Sequence, residues 1–207
     1  MPRIDLNVPF HEKDDAKRGG ARWDAQKKVW YAPEGANLVA LRRWIPAPQD
    51  INVRSRHYFI LRTSKTCWKC DAPTEVFAFA LPESHQTLEF DDDADDDAEG
   101  TWEQMDIAAL PHYIEYLAGE VRNRIGALTP HYRVDFSQTT QSWYWMNHCQ
   151  HCGVKQGDYE LFCEPDVAFL PMTDENAEAI QIEEILEPFE ALATGFSYDP
   201  EFLHGRW

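Results

Sequence analysis

Two Cys-x-x-Cys pairs constrain this chain more than any other feature: Cys67 and Cys70 in CWKC, and Cys149 and Cys152 in CQHCG. A two-residue spacer lets one tight turn aim both sulfurs at a single point, and two such turns supply the four thiolates of a closed tetrahedral metal site. The pairs are separated by 78 residues, so the chain must fold back on itself to unite them. Strand-like runs flank both pairs: His57 to Arg62 and Glu75 to Leu81 around the first, Trp143 to Met146 and Tyr159 to Phe162 around the second. Each pair is therefore expected at a hairpin tip, with Gly153 letting a backbone amide turn towards thiolate sulfur at the second. The expected ion is zinc in a structural role. Four thiolates leave no coordination position for water, so Lewis-acid and metal-hydroxide catalysis are not expected.

The cysteine knuckles and their strands resemble a zinc ribbon, in which two hairpins clamp one ion; residues 82–141 would then be a large insertion. Several alternatives stand beside this reading. The half-sites could pair across a dimer, or His148 or His151 could replace one sulfur, although both histidines are expected near the ligands or exposed instead. Thioredoxin-like chemistry needs a thiolate favoured by a helix N-terminus, whereas Gly153-Val-Lys-Gln-Gly157 reads as turn. Disulfides fit poorly with five cysteines and a reducing compartment. Cys163, after Leu161 and Phe162, is expected as a small buried hydrophobe.

Charge divides the chain. Residues 1–70 hold 14 Lys/Arg against 7 Asp/Glu, while the rest hold 5 against 29, giving the net charge of −17. Such an acidic whole argues against indiscriminate nucleic-acid binding and leaves the N-terminal third as the place for any basic face. Much of the acid lies in Glu89 to Glu99, too self-repelling to pack and expected as a flexible loop. An EF-hand fails there, because counting from Asp91 the sixth position is Asp96 where Gly is required and the twelfth is Trp102 where Glu is required. With 43% hydrophobic and 13% aromatic residues the chain has material for a core. No window approaches eighteen consecutive apolar residues, and MPRIDLNVPF lacks the charged and apolar regions of a signal peptide, so a soluble cytoplasmic protein is expected.

Arg3 to Val8 alternates like a half-buried strand closed by Pro9, and His11 to Arg18 reads as a charged helix, with Asp14 and Arg18 at i,i+4, ended by Gly19-Gly20. Ala21 to Trp23 and Val29 to Tyr31 flank a polar turn as a hairpin. Leu38, Leu41, Arg42 and Ile45 fit a last short helix before Pro46. The motifs LNVP, EKD-x-AK, GARWD and K-x-WY-x-P-x-G in this stretch resemble domain-of-unknown-function family 5710, with Arg18-Gly19 standing where that family often has Leu-Gly. Its members are similar in context to modules attached to primase-like proteins, so the resemblance implies association with DNA transactions. Residue chemistry allows Arg22, Lys27, Lys28, Arg42 and Arg43 to meet phosphates and Trp30, with Trp23 and Tyr31, to stack on bases. The competing reading makes Trp23, Trp30 and Trp44 the core of a small module.

Ile107, Leu110, Ile114, Leu117, Val121 and Ile125 recur at helical intervals and predict an inserted helix with Gly126 as its stop. Arg133 to Trp145 suits sheet, Ile180 to Leu186 fits strand or short helix, and Phe189 to Trp207 should fold back onto the body. The expected fold is α+β: a small α+β module over 1–48, then a zinc-ribbon-like antiparallel β body over 49–207 with an inserted helix. There is no phosphate loop, nucleophile elbow or ordered Ser-His-Asp pattern. The preferred function is a non-catalytic zinc-stabilised adaptor whose N-terminal module meets nucleic acid or a DNA-processing partner. The alternatives are an acidic inhibitor or immunity-type protein binding a basic partner through residues 83–104, and a metal-dependent nuclease or hydrolase.

Overall fold

The runs around the first cysteine pair, Tyr58-Phe-Ile-Leu61 and Val76-Phe-Ala-Phe-Ala-Leu81, are apolar at every position and so need cover on both faces. A computed structural model, which describes residues 3–6, 8, 12–25, 29–41, 44, 51–90 and 100–206, shows what supplies that cover. The chain forms two compact units, Met1–Gln49 and Asp50–Trp207.

In the first unit, β1 (Ile4–Leu6), α1 (Lys13–Arg18), β2 (Arg22–Asp24), β3 (Val29–Ala32) and α2 (Leu38–Leu41) follow one another, with the strands in the antiparallel order β1-β3-β2. Leu6, Ala16, Ala21, Ala32, Leu41 and Trp44 form its core. Gly19 lies so close to α2 that an added Cβ would stand 2.9 Å from Leu41 Cδ2, and Gly20 takes the left-handed φ of 99° that turns the chain out of α1. Arg18 pairs with Asp15, not with Asp14.

In the second unit, β4 (Val53–Ser55), β5 (Tyr58–Thr66), β6 (Pro73–Ala80), β7 (Gln86–Glu89), β8 (Thr101–Gln104) and β9 (Ala109–Leu117) precede α3 (Gly119–Leu128). Then come β10 (Tyr132–Ser137), β11 (Ser142–His148), β12 (Lys155–Gln156), α4 (Asp174–Glu178), β13 (Gln181–Ile185) and β14 (Phe189–Tyr198). Among the described residues these strands make an eight-stranded sheet, ordered β10-β11-β9-β14-β4-β7-β8 with β12 beside β11, and a three-stranded sheet, β13-β5-β6. The small sheet is the middle layer. Tyr58, Ile60, Phe77 and Phe79 face one core with Ile114, Trp145 and Phe189 of the large sheet. Phe59, Leu61, Val76 and Ala78 face a second core closed by Leu161, Phe162, Phe169 and Leu203.

This architecture overturns the α+β expectation. The described chain is predominantly antiparallel β with short helices, and residues 82–141 are not a helical insertion: they supply β7 to β10, including the strand β9 between β11 and β14. The apolar series from Ile107 to Ile125 straddles that strand and the following helix. A bulge places Ala193 opposite Ile114 and Leu192 opposite Tyr116, so Glu115 is an extra residue. Ile114 and Leu117 thereby share a face at a spacing of three, which imitates a helix. The helix α3 buries Val121 and Ile125 and runs through Gly126 to Leu128. Tyr159 to Phe162, expected as a strand, lies in a π-helical turn, Tyr159–Cys163, and Cys163 is exposed at its end instead of buried. The acidic run over residues 91–99 lies outside the described residues.

Asp158 is the only buried carboxylate among the described residues. Burial raises its pKa to about 7, opposed only by the Tyr113 N–H that donates to Oδ2 at 2.7 Å. Below the ordinary carboxyl pKa both folded and unfolded chains hold this proton. As pH rises towards 7 the unfolded chain loses it first, so that stabilisation disappears. Asp158→Asn keeps an acceptor for Tyr113 and removes the buried charge. Urea unfolding should show the variant more stable by about 3 kcal/mol at pH 8, with the gain shrinking towards pH 5; equal stability at pH 8 would contradict a strained carboxylate.

Candidate metal centre

The first cysteine pair joins β5 to β6 and the second joins β11 to β12. One loop is built twice. Cys67 N–H donates to Ala72 O at 2.9 Å and Asp71 N–H to Cys67 O at 3.0 Å; Cys149 N–H donates to Val154 O at 2.8 Å and Gly153 N–H to Cys149 O at 2.9 Å. The residue four after the first cysteine is left-handed in both loops, with φ of 56° at Asp71 and 70° at Gly153. Glycine adopts this conformation without steric penalty and aspartate tolerates it, which closes each turn. Gly153 thus serves the turn, while the N–H of His151 donates to Cys149 Sγ at 3.4 Å.

The first cysteine of each loop is buried and the second exposed. Across the loops Cys67 Sγ lies 3.8 Å from Cys152 Sγ and Cys70 Sγ 3.7 Å from Cys149 Sγ, and all four sulfurs lie within 4.8 Å of one another. The four cysteines can therefore hold one metal ion. The sulfur separations far exceed the roughly 2.05 Å of a disulfide bond. Gln156 Nε2 donates to Cys67 Sγ at 3.4 Å, and Trp68 Nε1 donates to Lys155 O at 2.8 Å, lacing one loop to the other.

Burial pushes the Cys149 thiol up, but N–H groups of Cys152 and His151 and the neighbouring thiols outweigh it and bring it down to about 6. At Cys70 the N–H of Ala72 favours the thiolate, yet burial and the sulfurs of Cys152, Cys149 and Cys67 raise it to about 12. Burial also pushes the Cys67 thiol up, but the N–H groups of Lys69 and Cys70 outweigh it and lower it. The thiolate is thus favoured at the two buried cysteines and resisted at Cys70, where negative sulfurs crowd.

Neither histidine joins the sulfurs. His148 is buried with Nε2 3.1 Å from Asp135 Oδ2, and His151 Nε2 donates to Pro73 O at 2.9 Å. Sequence reasoning missed Asp71, Gln156 and Trp68. Only Asp71 had a signal, its offset of four from Cys67 matching that of Gly153 from Cys149.

Of the candidate nucleic-acid contacts, Arg22 is exposed on β2 and Trp30 is partly buried on β3 against the core. Trp23, also proposed for the core, is 49% exposed and packs its ring 5.6 Å from that of Trp30. Trp44 is a core residue, 3% exposed. Lys27, Lys28, Arg42 and Arg43 lie outside the described residues. No helix among the described residues is long and apolar enough to cross a membrane.

Residues 3–46 match the family described as "Domain of unknown function (DUF5710)". Two Escherichia coli proteins named DNA primase TraC are similar over the same stretch. One is 50% identical over 42 residues, 20% of this chain, and the other 49% identical over 51 residues, 25% of this chain. Each match covers only 4% of the primase. No solved structure matches the chain.

Proposed function

We propose that this protein is a non-catalytic adaptor in which one structural zinc ion staples a β domain over residues 49–207 and a small module over residues 1–48 engages nucleic acid or a DNA-processing partner. The sulfur geometry carries the zinc half. A regular tetrahedron with zinc–sulfur bonds of about 2.3 Å has edges of about 3.8 Å, against the 3.8 and 3.7 Å between the loops. Four thiolates complete the coordination sphere, so the ion cross-links two sheets and holds no reacting water.

The DNA half is supported by the similarity of the first unit to a segment of DNA primases and by the exposed Arg22 and Trp23 on β2. Fluorescence anisotropy with single- and double-stranded oligonucleotides at two salt concentrations tests it. Binding should weaken as salt rises, and Arg22→Ala, or Lys27→Ala with Lys28→Ala, should flatten the dependence by about one unit of slope per phosphate contact removed. Salt-insensitive binding, or none, removes nucleic acid from the proposal.

A further inference from the structure

A row of polar side chains crosses four adjacent strands of the large sheet. Glu190 on β14 stands opposite Arg54 on β4, Arg54 opposite Gln86 on β7, and Gln86 opposite Gln104 on β8. Directly facing residues share a sheet face, and Val53, Thr87, Phe189 and Ala191, next to them in sequence, are buried on the other. The row borders a cleft of about 360 Å³ that Arg56 and Ser84 also line.

Arg54 is set in place before any ligand arrives. Its guanidinium lies 4.0 Å from the centre of the Trp102 ring, and Nε donates to Gln86 Oε1 at 2.8 Å. Those contacts fix the plane and leave the two terminal nitrogens, the fork that grips oxyanions, without a protein acceptor among the described residues. Residues 50–207 contain 30 Asp/Glu against 10 Lys/Arg, yet neither Arg54 nor Arg56 forms an ion pair among the described residues. Even Glu190, directly across from Arg54, makes none.

We propose that this cleft binds a phosphoryl group of a small molecule, with Arg54 as its oriented fork and Arg56 as a second positive charge. Two cations suit a phosphate dianion, whereas a carboxylate needs only one. Ser84 and Gln104 offer neutral donors at the rim. The site is independent of the metal centre and of the nucleic-acid reading of the first unit.

Calorimetric titration of the full chain with metal bound, using phenyl phosphate and benzoate at constant ionic strength, tests the assignment. Phenyl phosphate should bind saturably at one site, with benzoate at least about tenfold weaker. Arg54→Gln should weaken phenyl phosphate about tenfold, the loss of one charge-assisted contact. Trp102→Leu, which keeps every charge, should weaken it about threefold by releasing the guanidinium plane. Should Arg54→Gln fail to fold, exposed Arg56→Gln replaces it with the same expected direction. Benzoate binding as tightly as phenyl phosphate, non-saturable binding, or unchanged affinity in the arginine variants overturns the proposal.

Discussion

Replacing Cys67 or Cys149 by serine should abolish metal binding and unfold the second unit, and chelation of the unaltered protein should do the same. In zinc-finger peptides such binding is worth about 10–16 kcal/mol at neutral pH, as much as the roughly 5–15 kcal/mol that holds a whole domain together. The ligands leave two different sheets, β5 and β6 of the small one and β11 and β12 of the large one. Without the cation, four sulfurs remain crowded at that junction, with Cys70 held as a thiol by its neighbours, at about 12. Elemental analysis should give about one zinc per chain before substitution and almost none after it. Circular dichroism should show the loss of the cooperative melt of the second unit. Acidification well below the depressed pKa of about 6 at Cys149 should also expel the ion, because protons then compete for even the most readily ionised thiol. Cys163→Ser is the control: it is exposed and outside the tetrad, so metal content should not change. A zinc-free, fully folded preparation with an unchanged melting temperature would defeat the structural assignment.

The second large effect should come from Asn147→Ala, destabilising the second unit by about 4 kcal/mol. Asn147 is 1% exposed and behaves as a piece of backbone. Its Nδ2 donates to Phe77 O at 2.9 Å while Phe77 N–H donates to its Oδ1 at 2.8 Å, joining β11 to β6 across the two sheets. Alanine strands a buried donor and a buried acceptor, each costing about 1–3 kcal/mol. Asn147→Asp should be destabilising too, because it sets a carboxylate against the Phe77 carbonyl and places a charge in the core. Urea denaturation with metal saturation verified separates this loss from loss of the ion; a change below about 1 kcal/mol would show that the pairing contributes little. Asn52 makes the same two-bond pairing with Ala193, at 2.6 and 2.9 Å.

The legible parts of this fold were those written in local pattern. Continuous apolar runs marked β5 and β6, alternation and turn residues marked the strands of the first unit, and the doubled two-residue spacing marked sulfurs that do come together. What escaped notice depends on partners distant in sequence. The spacing of Ile114 and Leu117 is helical only because Glu115 bulges out of a strand held between two neighbours. Cys163 follows two apolar residues but caps a π-helical turn that turns it outward. The long strand β14 was obscured by Gly195, which is needed there because a Cβ would stand 2.3 Å from the His112 ring on β9. Nothing in its neighbours announces Asn147, since its partner lies 70 positions earlier. For the same reason the row from Glu190 to Gln104 is invisible until four strands align.

The 78 residues between the sulfur pairs also bear on how the protein is made. At translation speeds of about 5–20 residues per second, the later pair leaves the ribosome roughly 4–16 s after the earlier one. During that interval Cys67 and Cys70 sit on a nascent hairpin with both of their eventual companions, Cys149 and Cys152, not yet synthesised. At the proposed metal site, capture of the ion would wait for the second pair while β14 of the large sheet is still to be made, and it would tie maturation to the cell's supply of metal and reductant at the moment of synthesis.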